Sequence, residues 1–343
     1  MITARQRMEN FFNKQSSDRL PKIEWASWWN LTVQRWSGEG LPAYAGDDPS
    51  ICRDVEDNPT LKDVLGLDYD HQIWFPNHLS ALPSFKEGAH ISTEAEYEKI
   101  LPFLYNRDMI RAFAPQLEMI RQNFEQKGAI TWFTLSGFFW YPRVLLGIED
   151  HLYSFYDCPS LYHRICRDMT EYYAFVIEEV TRHYSPQFMT FGEDMSYNLG
   201  PMLSEDTFNE FLLPYYKQLI PLLKSKGIRV IADSDGDIAR LLPWLINAGF
   251  DGILPLERQA GVDVNTLTAQ YPDFFFIGGF DKMVMKFGAE AIEEEFKRIL
   301  PAMKNKNYLP SVDHQTPPDV PLSYYREYSK LLDKYCRLCM QPD

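Results

Sequence analysis

Short apolar runs alternate along the chain with longer segments whose apolar residues recur at helical spacing. Each run ends at glycine or at polar residues, a pattern typical of strands connected by helices. Seven runs predict strands, and Tyr69–Phe75 is a weaker eighth candidate. The seven are Lys22–Ser27, Ala129–Leu135, Gln187–Gly192, Ile228–Asp233, Gly252–Pro255, Phe274–Gly278 and Tyr308–Val312.

The second half of the chain shows the alternation best. Ser204 has the features of a helix N-cap and predicts a helix that continues to about Ser225, with a kink at Pro214. The strand at Ile228–Asp233 follows, and a second helix is predicted over Ile238–Asn247. The same order continues to the C-terminus.

Repeated strand–helix units predict parallel strands joined by right-handed crossovers, and so an α/β fold. Seven or eight units in 343 residues suit a (β/α)8 TIM barrel with extra N-terminal helices. No glycine- and serine-rich linker interrupts the chain, so we expect one domain over residues 1–343. A doubly wound sheet is the alternative, and it is disfavoured because no glycine-rich phosphate turn follows the first strand.

Composition and charge narrow the classes of partner. No apolar run approaches the roughly 20 residues of a membrane span. The net charge is −14, which repels phosphate, so nucleic acid and anionic membranes are not expected partners. The first residues lack the apolar core of a signal peptide, which predicts a cytoplasmic protein.

Acidic residues follow most of the predicted strands. In a barrel these strand ends meet at one mouth, where clustered carboxylates raise one another's pKa or bind a cation. The alternative is ordinary ion pairing with Arg35, Arg143, Arg258 and Lys282. The strand-end residues are Glu24, Glu193, Asp194, Asp233, Asp235, Glu257, Asp281, Asp313 and His314.

His314 and the aromatic residues each allow two interpretations. A histidine between a strand and Pro317-Pro318 suits a general acid/base or a metal ligand, or else a hydrogen bond within its own loop. The tryptophans either pack in the core or line a pocket for a planar ligand. They include Trp25, Trp28, Trp29, Trp36, Trp74 and Trp140.

Several motifs together resemble the uroporphyrinogen decarboxylase superfamily. They are strong over about residues 130–335 and loose before that. The resemblance implies a (β/α)8 barrel and either cofactor-free decarboxylation of uroporphyrinogen or methyl transfer to or from corrinoids, often with zinc. The motifs are Gly137–Pro142, Tyr156–Pro159, Phe191–Ser204, Phe211–Tyr215, Asp233–Asp237, Pro255–Glu257, Ala260–Val264, Ile277–Lys282 and Asp313–Asp319.

The chain departs from both branches of the superfamily. The decarboxylases carry an arginine-rich segment after the first strand, whereas Trp25–Trp36 holds Arg35 as its only base. The methyltransferases carry a His-x-Cys and a later Cys, whereas this chain has Asp233-Ser234-Asp235 and Asp313-His314 at those places. The thiolate ligands are missing, but Asp, Glu and His also bind zinc.

We therefore expect corrinoid-linked demethylation of a small methylated substrate, with a separate corrinoid protein as partner. Decarboxylation of uroporphyrinogen or a related acid, with no cofactor, is the alternative. A non-catalytic binder of a tetrapyrrole or a corrinoid protein is the third reading, and superfamily relatives suggest a homodimer.

The resemblance and the strand ends together assign the site residues. The predicted catalytic residues are Glu193, Asp194, Asp233 and His314. The predicted zinc ligands are Glu193, Asp233, Asp235 and His314. The predicted substrate-binding residues are Glu24, Trp25, Trp28, Arg35, Tyr197, Glu257 and Asp281.

Overall fold

A computed structural model describes residues 2–26, 28–41, 59–85 and 87–341. Among the described residues, three α-helices precede the first strand, in agreement with the predicted N-terminal helices: α1 (Ala4–Phe12), α2 (Asn30–Gly38) and α3 (Pro59–Leu65). From β1 onwards, strands and helices alternate over the rest of the described chain.

The strands are β1 (Asp70–Trp74), β2 (Ile130–Ser136), β3 (Phe188–Gly192), β4 (Ser196–Tyr197), β5 (Gly200–Pro201), β6 (Arg229–Asp233), β7 (Gly252–Leu254), β8 (Phe275–Phe280) and β9 (Tyr308–Val312). The remaining helices are α4 (Glu94–Ile100), α5 (Arg107–Arg111), α6 (Ala114–Gln122), α7 (Trp140–Leu146), α8 (Ile148–Asp157), α9 (Pro159–Thr181), α10 (Glu205–Phe211), α11 (Leu213–Ser225), α12 (Leu242–Ala248), α13 (Val264–Gln270), α14 (Ala289–Lys304) and α15 (Leu322–Leu338).

Seven strands form one parallel sheet in the order β1-β2-β3-β6-β7-β8-β9. The register aligns Gly192 at the end of β3 with Asp233 at the end of β6, so these carboxyl ends lie side by side. Helices surround the curled sheet, which gives the predicted α/β, TIM-barrel-like architecture. The short strands β4 and β5 form a separate antiparallel hairpin after β3.

The predicted strand at Lys22–Ser27 is wrong for the residues that the structure describes, and Ser27 lies outside them. Residues 20–26, which we call the seam, run between β9 and β1 without a strand ladder. Trp25 Nε1 donates to Val312 O at 2.7 Å, and the Lys22 amide donates to the Asp68 carboxylate at 2.9 Å. Side chains replace most of the ladder here, and Pro21 has no amide hydrogen to give to one.

Helix α1 packs against the end of the barrel opposite the strand carboxyl ends. The Phe12 ring lies 5.7 Å from Phe188 at the start of β3 and 5.2 Å from Phe275 at the start of β8, measured between ring centroids. Phe11 also contacts Phe275 at 5.2 Å. These aromatic contacts fill the amino-terminal end of the barrel and leave the other end for a site.

The predicted helix from Ser204 to Ser225 is two helices, α10 and α11, which meet at Leu212. Ser204 is the N-cap, as predicted, because its hydroxyl accepts the Thr207 amide at 3.1 Å. Pro214 lies in the first turn of α11, where a missing amide hydrogen costs least, so the predicted kink is a break. The next predicted helix begins at Leu242 rather than Ile238.

No helix among the described residues is both long enough and apolar enough to cross a membrane. Cys336 and Cys339, at the end of α15, are buried free thiols.

Candidate active site

The carboxyl ends of the parallel strands bring most of the predicted residues to one end of the barrel, which we call the mouth. Glu193 and Asp194 follow β3, Asp233 ends β6, and Asp313 and His314 follow β9. Parallel strands present their carboxyl ends together, so residues far apart in the sequence meet here.

Asp235, Glu257 and His314 form the acid–histidine cluster of the mouth. Each offers one ligand atom, and these three atoms lie within 4.8 Å of one another. His314 Nε2 lies 3.6 Å from Asp235 Oδ2, and Glu257 Oε2 accepts the Gly236 amide at 2.9 Å. All three side chains are partly buried, so the cluster is open to a small ligand.

His314 is held between a carboxylate and two indole rings. Trp25 meets its ring edge-on at 6.0 Å, and Trp29 stacks at 6.5 Å. Burial lowers the pKa of His314, but the hydrogen bond and the negative charge of Asp235 outweigh it, so the pKa is raised above its usual value. His314 is therefore suited to carrying a proton when no cation occupies the cluster.

Gly236 lets the loop after β6 pass under the β4–β5 hairpin. Its φ is +81°, and a Cβ placed there would lie 2.6 Å from backbone atoms of Tyr197. Only glycine satisfies both conditions at this position. The close approach positions the Gly236 amide that holds Glu257.

Glu193 is fully buried and supports the neighbouring loop. Its two carboxyl oxygens accept the Phe138 amide at 2.9 Å and the Phe139 amide at 2.8 Å, just before α7. A Cβ on Gly137 would lie 1.9 Å from the Glu193 carboxyl carbon, so this cradle needs glycine. Burial raises the pKa of Glu193 to about 8, although these amides act in the opposite direction.

Asp194, the next residue, has a left-handed backbone with a φ of +44°. Burial and the charge of Asp235 raise its pKa to about 6, against the opposing effect of Arg143. Burial also raises the pKa of Asp233 well above its usual value, with Asp194 and Asp235 adding to the effect. The mouth therefore contains carboxyl groups that exchange protons near neutral pH.

Asp313 and Asp281 are tied into the loops that frame the mouth. Asp313 is fully buried and accepts the backbone amides of Arg258 and Lys282 at 3.0 and 3.1 Å. Lys282 Nζ lies 3.2 Å from Asp313 Oδ1. Asp281 caps the short 3-10 helix Lys282–Phe287 by accepting the Met283 amide at 2.9 Å.

The predicted substrate-binding residues divide between the mouth, the seam and the core. Tyr197 is 48% exposed in the β4–β5 hairpin. Glu24 is buried in the seam and accepts the Tyr328 hydroxyl at 2.9 Å. Trp28 is buried against Trp36 and Tyr325. Arg35 pairs with Glu39 at 2.7 Å and reaches the Pro318 carbonyl.

Two of the four predicted zinc ligands, Asp235 and His314, lie in the acid–histidine cluster, together with Glu257. The sequence assigned Glu257 to substrate binding and, because it follows a strand, also counted it among the acids that could bind a cation at the mouth. The side chains of Glu193 and Asp233 are not part of this cluster. The cluster offers one imidazole nitrogen and two carboxylate oxygens, a donor set that divalent cations accept.

Comparisons with known proteins agree with this arrangement. The chain is 24% identical over 333 residues to a curated uroporphyrinogen decarboxylase of Campylobacter jejuni subsp. jejuni (strain 81-176), and the match covers 89% of this chain and 94% of that protein. The corresponding protein of Campylobacter jejuni strain RM1221 gives the same identity and coverage.

A solved structure described as a methyltransferase from Methanosarcina mazei shares the fold. It superimposes with a TM-score of 0.64 at 13% identity and covers 98% of this chain and 99% of its own. The family model for uroporphyrinogen decarboxylase (URO-D) matches residues 83–335 and includes every element from α4 to β9. Because the match spans most of the chain and its mouth, this chain belongs to the uroporphyrinogen decarboxylase (URO-D) family.

Proposed function

We propose that this chain is a metal-dependent methyltransferase that removes a methyl group from a small substrate for transfer to a corrinoid on a separate protein. The acid–histidine cluster carries the proposal, because its three ligand atoms lie within 4.8 Å of one another at the mouth. A cofactor-free decarboxylase has no need of a cluster of metal ligands.

The cluster suits zinc in the number and type of its donors. Catalytic zinc sites in proteins use three protein ligands, drawn from histidine, carboxylates and cysteine, and leave one position open. Asp235, Glu257 and His314 would hold the ion here. A bound zinc ion supplies a Lewis acid that polarises the atom from which the methyl group leaves.

The chain's own residues would orient the substrate and control protons and water. Trp25 and Trp29 flank His314 and would exclude water from one side of the cluster. Asp194, with a pKa of about 6, would take up or release a proton near neutral pH. Glu193 holds the loop before α7 and acts as a positioning residue.

The relatives support the choice of reaction class without deciding it. The Methanosarcina mazei structure is described as a methyltransferase, and the curated Campylobacter jejuni relatives as decarboxylases. A corrinoid protein as partner and a homodimeric state remain predictions from the family resemblance.

Metal binding tests the proposal first. Protein dialysed against a chelator is titrated with Zn²⁺, with wild type compared with His314→Ala, Glu257→Gln and the exposed control Glu205→Gln. We expect one zinc per chain in wild type and in the control, and at least a tenfold loss of affinity in the two cluster variants.

Methyl transfer is measured on the same proteins. Cob(I)alamin is incubated with a panel of small methyl ethers, methylamines and methyl thioethers, and methylcobalamin formation is followed by absorbance. Wild type should form methylcobalamin only with zinc, and His314→Ala should not form it while melting at nearly the wild-type temperature. Full turnover by metal-free protein would contradict the metal role.

Decarboxylation is the second candidate, and the carboxyls of Asp194 and Asp233 favour it. Burial and the charge of Asp235 raise the pKa of both groups, so either group is able to protonate a substrate carbon. However, Arg35 is engaged by Glu39 and Pro318, and a substrate with many carboxylates would meet a chain of net charge −14. Carbon dioxide release from uroporphyrinogen by metal-free protein would favour this candidate.

A further inference from the structure

Arg143 is a cation at the mouth whose guanidinium has no ion pair or hydrogen bond with any described residue. It is partly buried on α7 and lies within two helical turns of the loop whose backbone amides Glu193 binds. Its guanidinium carbon lies 5.1 Å from the centroid of the Trp140 ring.

The other described arginines that are buried or partly buried all have polar partners. Each one pairs with a carboxylate or donates to a backbone carbonyl, because an arginine removed from water needs acceptors. They are Arg5, Arg7, Arg19, Arg35, Arg121, Arg164, Arg229, Arg258 and Arg298. Arg143 is the exception within the described part of the chain.

The position of Arg143 is fixed by its surroundings. Tyr141 and Pro142, directly before it, are buried, and the amides of Phe138 and Phe139 are bound by the Glu193 carboxylate. The guanidinium lies over the Trp140 ring, and its N–H donors have no acceptor among the described residues. The helix therefore presents a preorganised fork of donors without an acceptor.

Arg143 also lies on the side of the mouth next to Asp194. Its positive charge acts on the Asp194 carboxyl, which the charges of Asp235 and His314 reach as well. Asp194 is thus within electrostatic reach of both Arg143 and the acid–histidine cluster. A ligand that touches both would pass near Asp194.

We infer that Arg143 is the anion-binding subsite of the mouth and that the substrate is a small carboxylic acid with a planar, apolar body. The carboxylate pairs with the Arg143 fork, and the body lies against exposed rings such as Trp29 and Trp74, which are 39% and 40% exposed. A chain of net charge −14 repels anions in general, so it binds one only where a dedicated cation compensates. The inference rests on the proposed function only for the reaction at the other end of the substrate, which is methyl transfer at the acid–histidine cluster.

Benzoate and benzamide test the inference, because they share a ring and differ in charge. Calorimetric titration compares wild type, Arg143→Gln, Arg143→Lys and the control Arg240→Gln, which removes an exposed arginine from the loop after β6. Zinc-loaded and metal-free proteins are both titrated. Melting temperatures are measured alongside, and they should be nearly equal because Arg143 forms no ion pair to lose.

We expect saturable benzoate binding by wild type and the control, at least tenfold tighter than benzamide. Arg143→Gln should weaken benzoate binding by about tenfold to one-hundredfold and leave benzamide unchanged. Arg143→Lys should fall between them, because lysine keeps the charge but loses the fork. Equal affinities for benzoate and benzamide, no saturable benzoate binding, or a benzoate affinity unaffected by Arg143→Gln would each overturn the inference.

This titration is independent of methyl transfer. Benzoate binding through Arg143 without methylcobalamin formation would reject the proposed function and leave the subsite standing. Zinc-dependent methyl transfer with no role for Arg143 in benzoate binding would reject the subsite and leave the proposed function standing.

Discussion

Glu24 lies in an environment very different from that of a free carboxyl in water. Burial in the seam raises its pKa to about 8, opposed by hydrogen bonds from Tyr328 and Ser311. Its second oxygen, Oε2, has no partner among the described residues, and the buried Lys62 and Asp70 lie beside it around a cavity of about 10 Å³.

This environment makes stability depend on pH. Below about pH 4.5 the Glu24 carboxyl is protonated in both the folded and the unfolded chain, so its burial does not lower the stability of the folded state through ionisation. As pH rises towards 8, the unfolded chain ionises first, and the folded state loses stability. Glu24→Gln removes this titration. Near pH 9 the free energy of unfolding of the variant should therefore exceed that of wild type by a few kcal/mol, a figure good to about 2-fold.

Urea denaturation of both proteins between pH 5 and 9, taken as roughly the span of the titration, measures the effect. The exposed variant Glu205→Gln should follow the wild-type slope. Parallel curves for wild type and Glu24→Gln would show that Glu24 ionises at its ordinary pKa in the folded chain.

Helix α1 shows, at the scale of an element, how the barrel end is filled. Phe12 contacts two strands that are distant in the sequence, through Phe188 and Phe275. Phe12→Ala should therefore destabilise the protein by about 3–5 kcal/mol, because it leaves a cavity between those rings. The measurement is the free energy of unfolding in urea.

The exposed pair of Lys14 and Asp273 gives a control at the end of the same helix. Lys14→Ala should cost only about 0–1 kcal/mol, since the Asp273 side chain is 96% exposed. Equal losses for Phe12→Ala and Lys14→Ala would mean that α1 does not close the barrel.

The sequence predicted the elements that alternate regularly. The runs at β2, β3, β6, β7, β8 and β9 are strands, as is the weaker candidate at β1, because buried parallel strands need continuous apolar residues. The strand prediction was wrong in the seam because an apolar run does not reveal whether its backbone groups can hydrogen-bond to a neighbouring strand. The Lys22 amide donates to the Asp68 carboxylate and the Trp25 indole donates to the Val312 carbonyl instead.

At the scale of the whole molecule, a buried ion pair lies where the chain closes the barrel beside the seam. Lys62 of α3 pairs with Asp70 at the start of β1, beside the seam, and both are almost completely buried. Burial raises the pKa of Asp70, and the charge of Lys62 lowers it. Lys62→Met should cost about 3–5 kcal/mol, because it leaves Asp70 buried without a counter-ion.

The double variant Lys62→Met with Asp70→Asn separates lost charge from lost packing. It should recover most of the stability measured by thermal and urea unfolding, because no unpaired charge remains. Additive losses in the two single variants and the double variant would show that the pair does not interact.

The location of the site could be predicted from the sequence, whereas the partners of its individual side chains could not. Parallel topology brings the strand-end acids together, which the sequence anticipated for Asp235 and His314. It could not show that the oxygens of Glu193 are taken by the amides of Phe138 and Phe139, since that depends on how two loops meet. Nor could it show that Lys282 finds Asp313 while Arg143 pairs with nothing described.

The left-handed backbone at Asp194 limits which replacements are informative there. Asparagine tolerates a φ of +44° almost as well as aspartate, whereas alanine and β-branched residues do not. An alanine scan would therefore mix the cost of a strained turn with the loss of an acid. Asp194→Asn keeps the shape and the turn while it removes the charge and the acid, and natural variation at this position should be confined to Asp, Asn and Gly wherever the turn is kept.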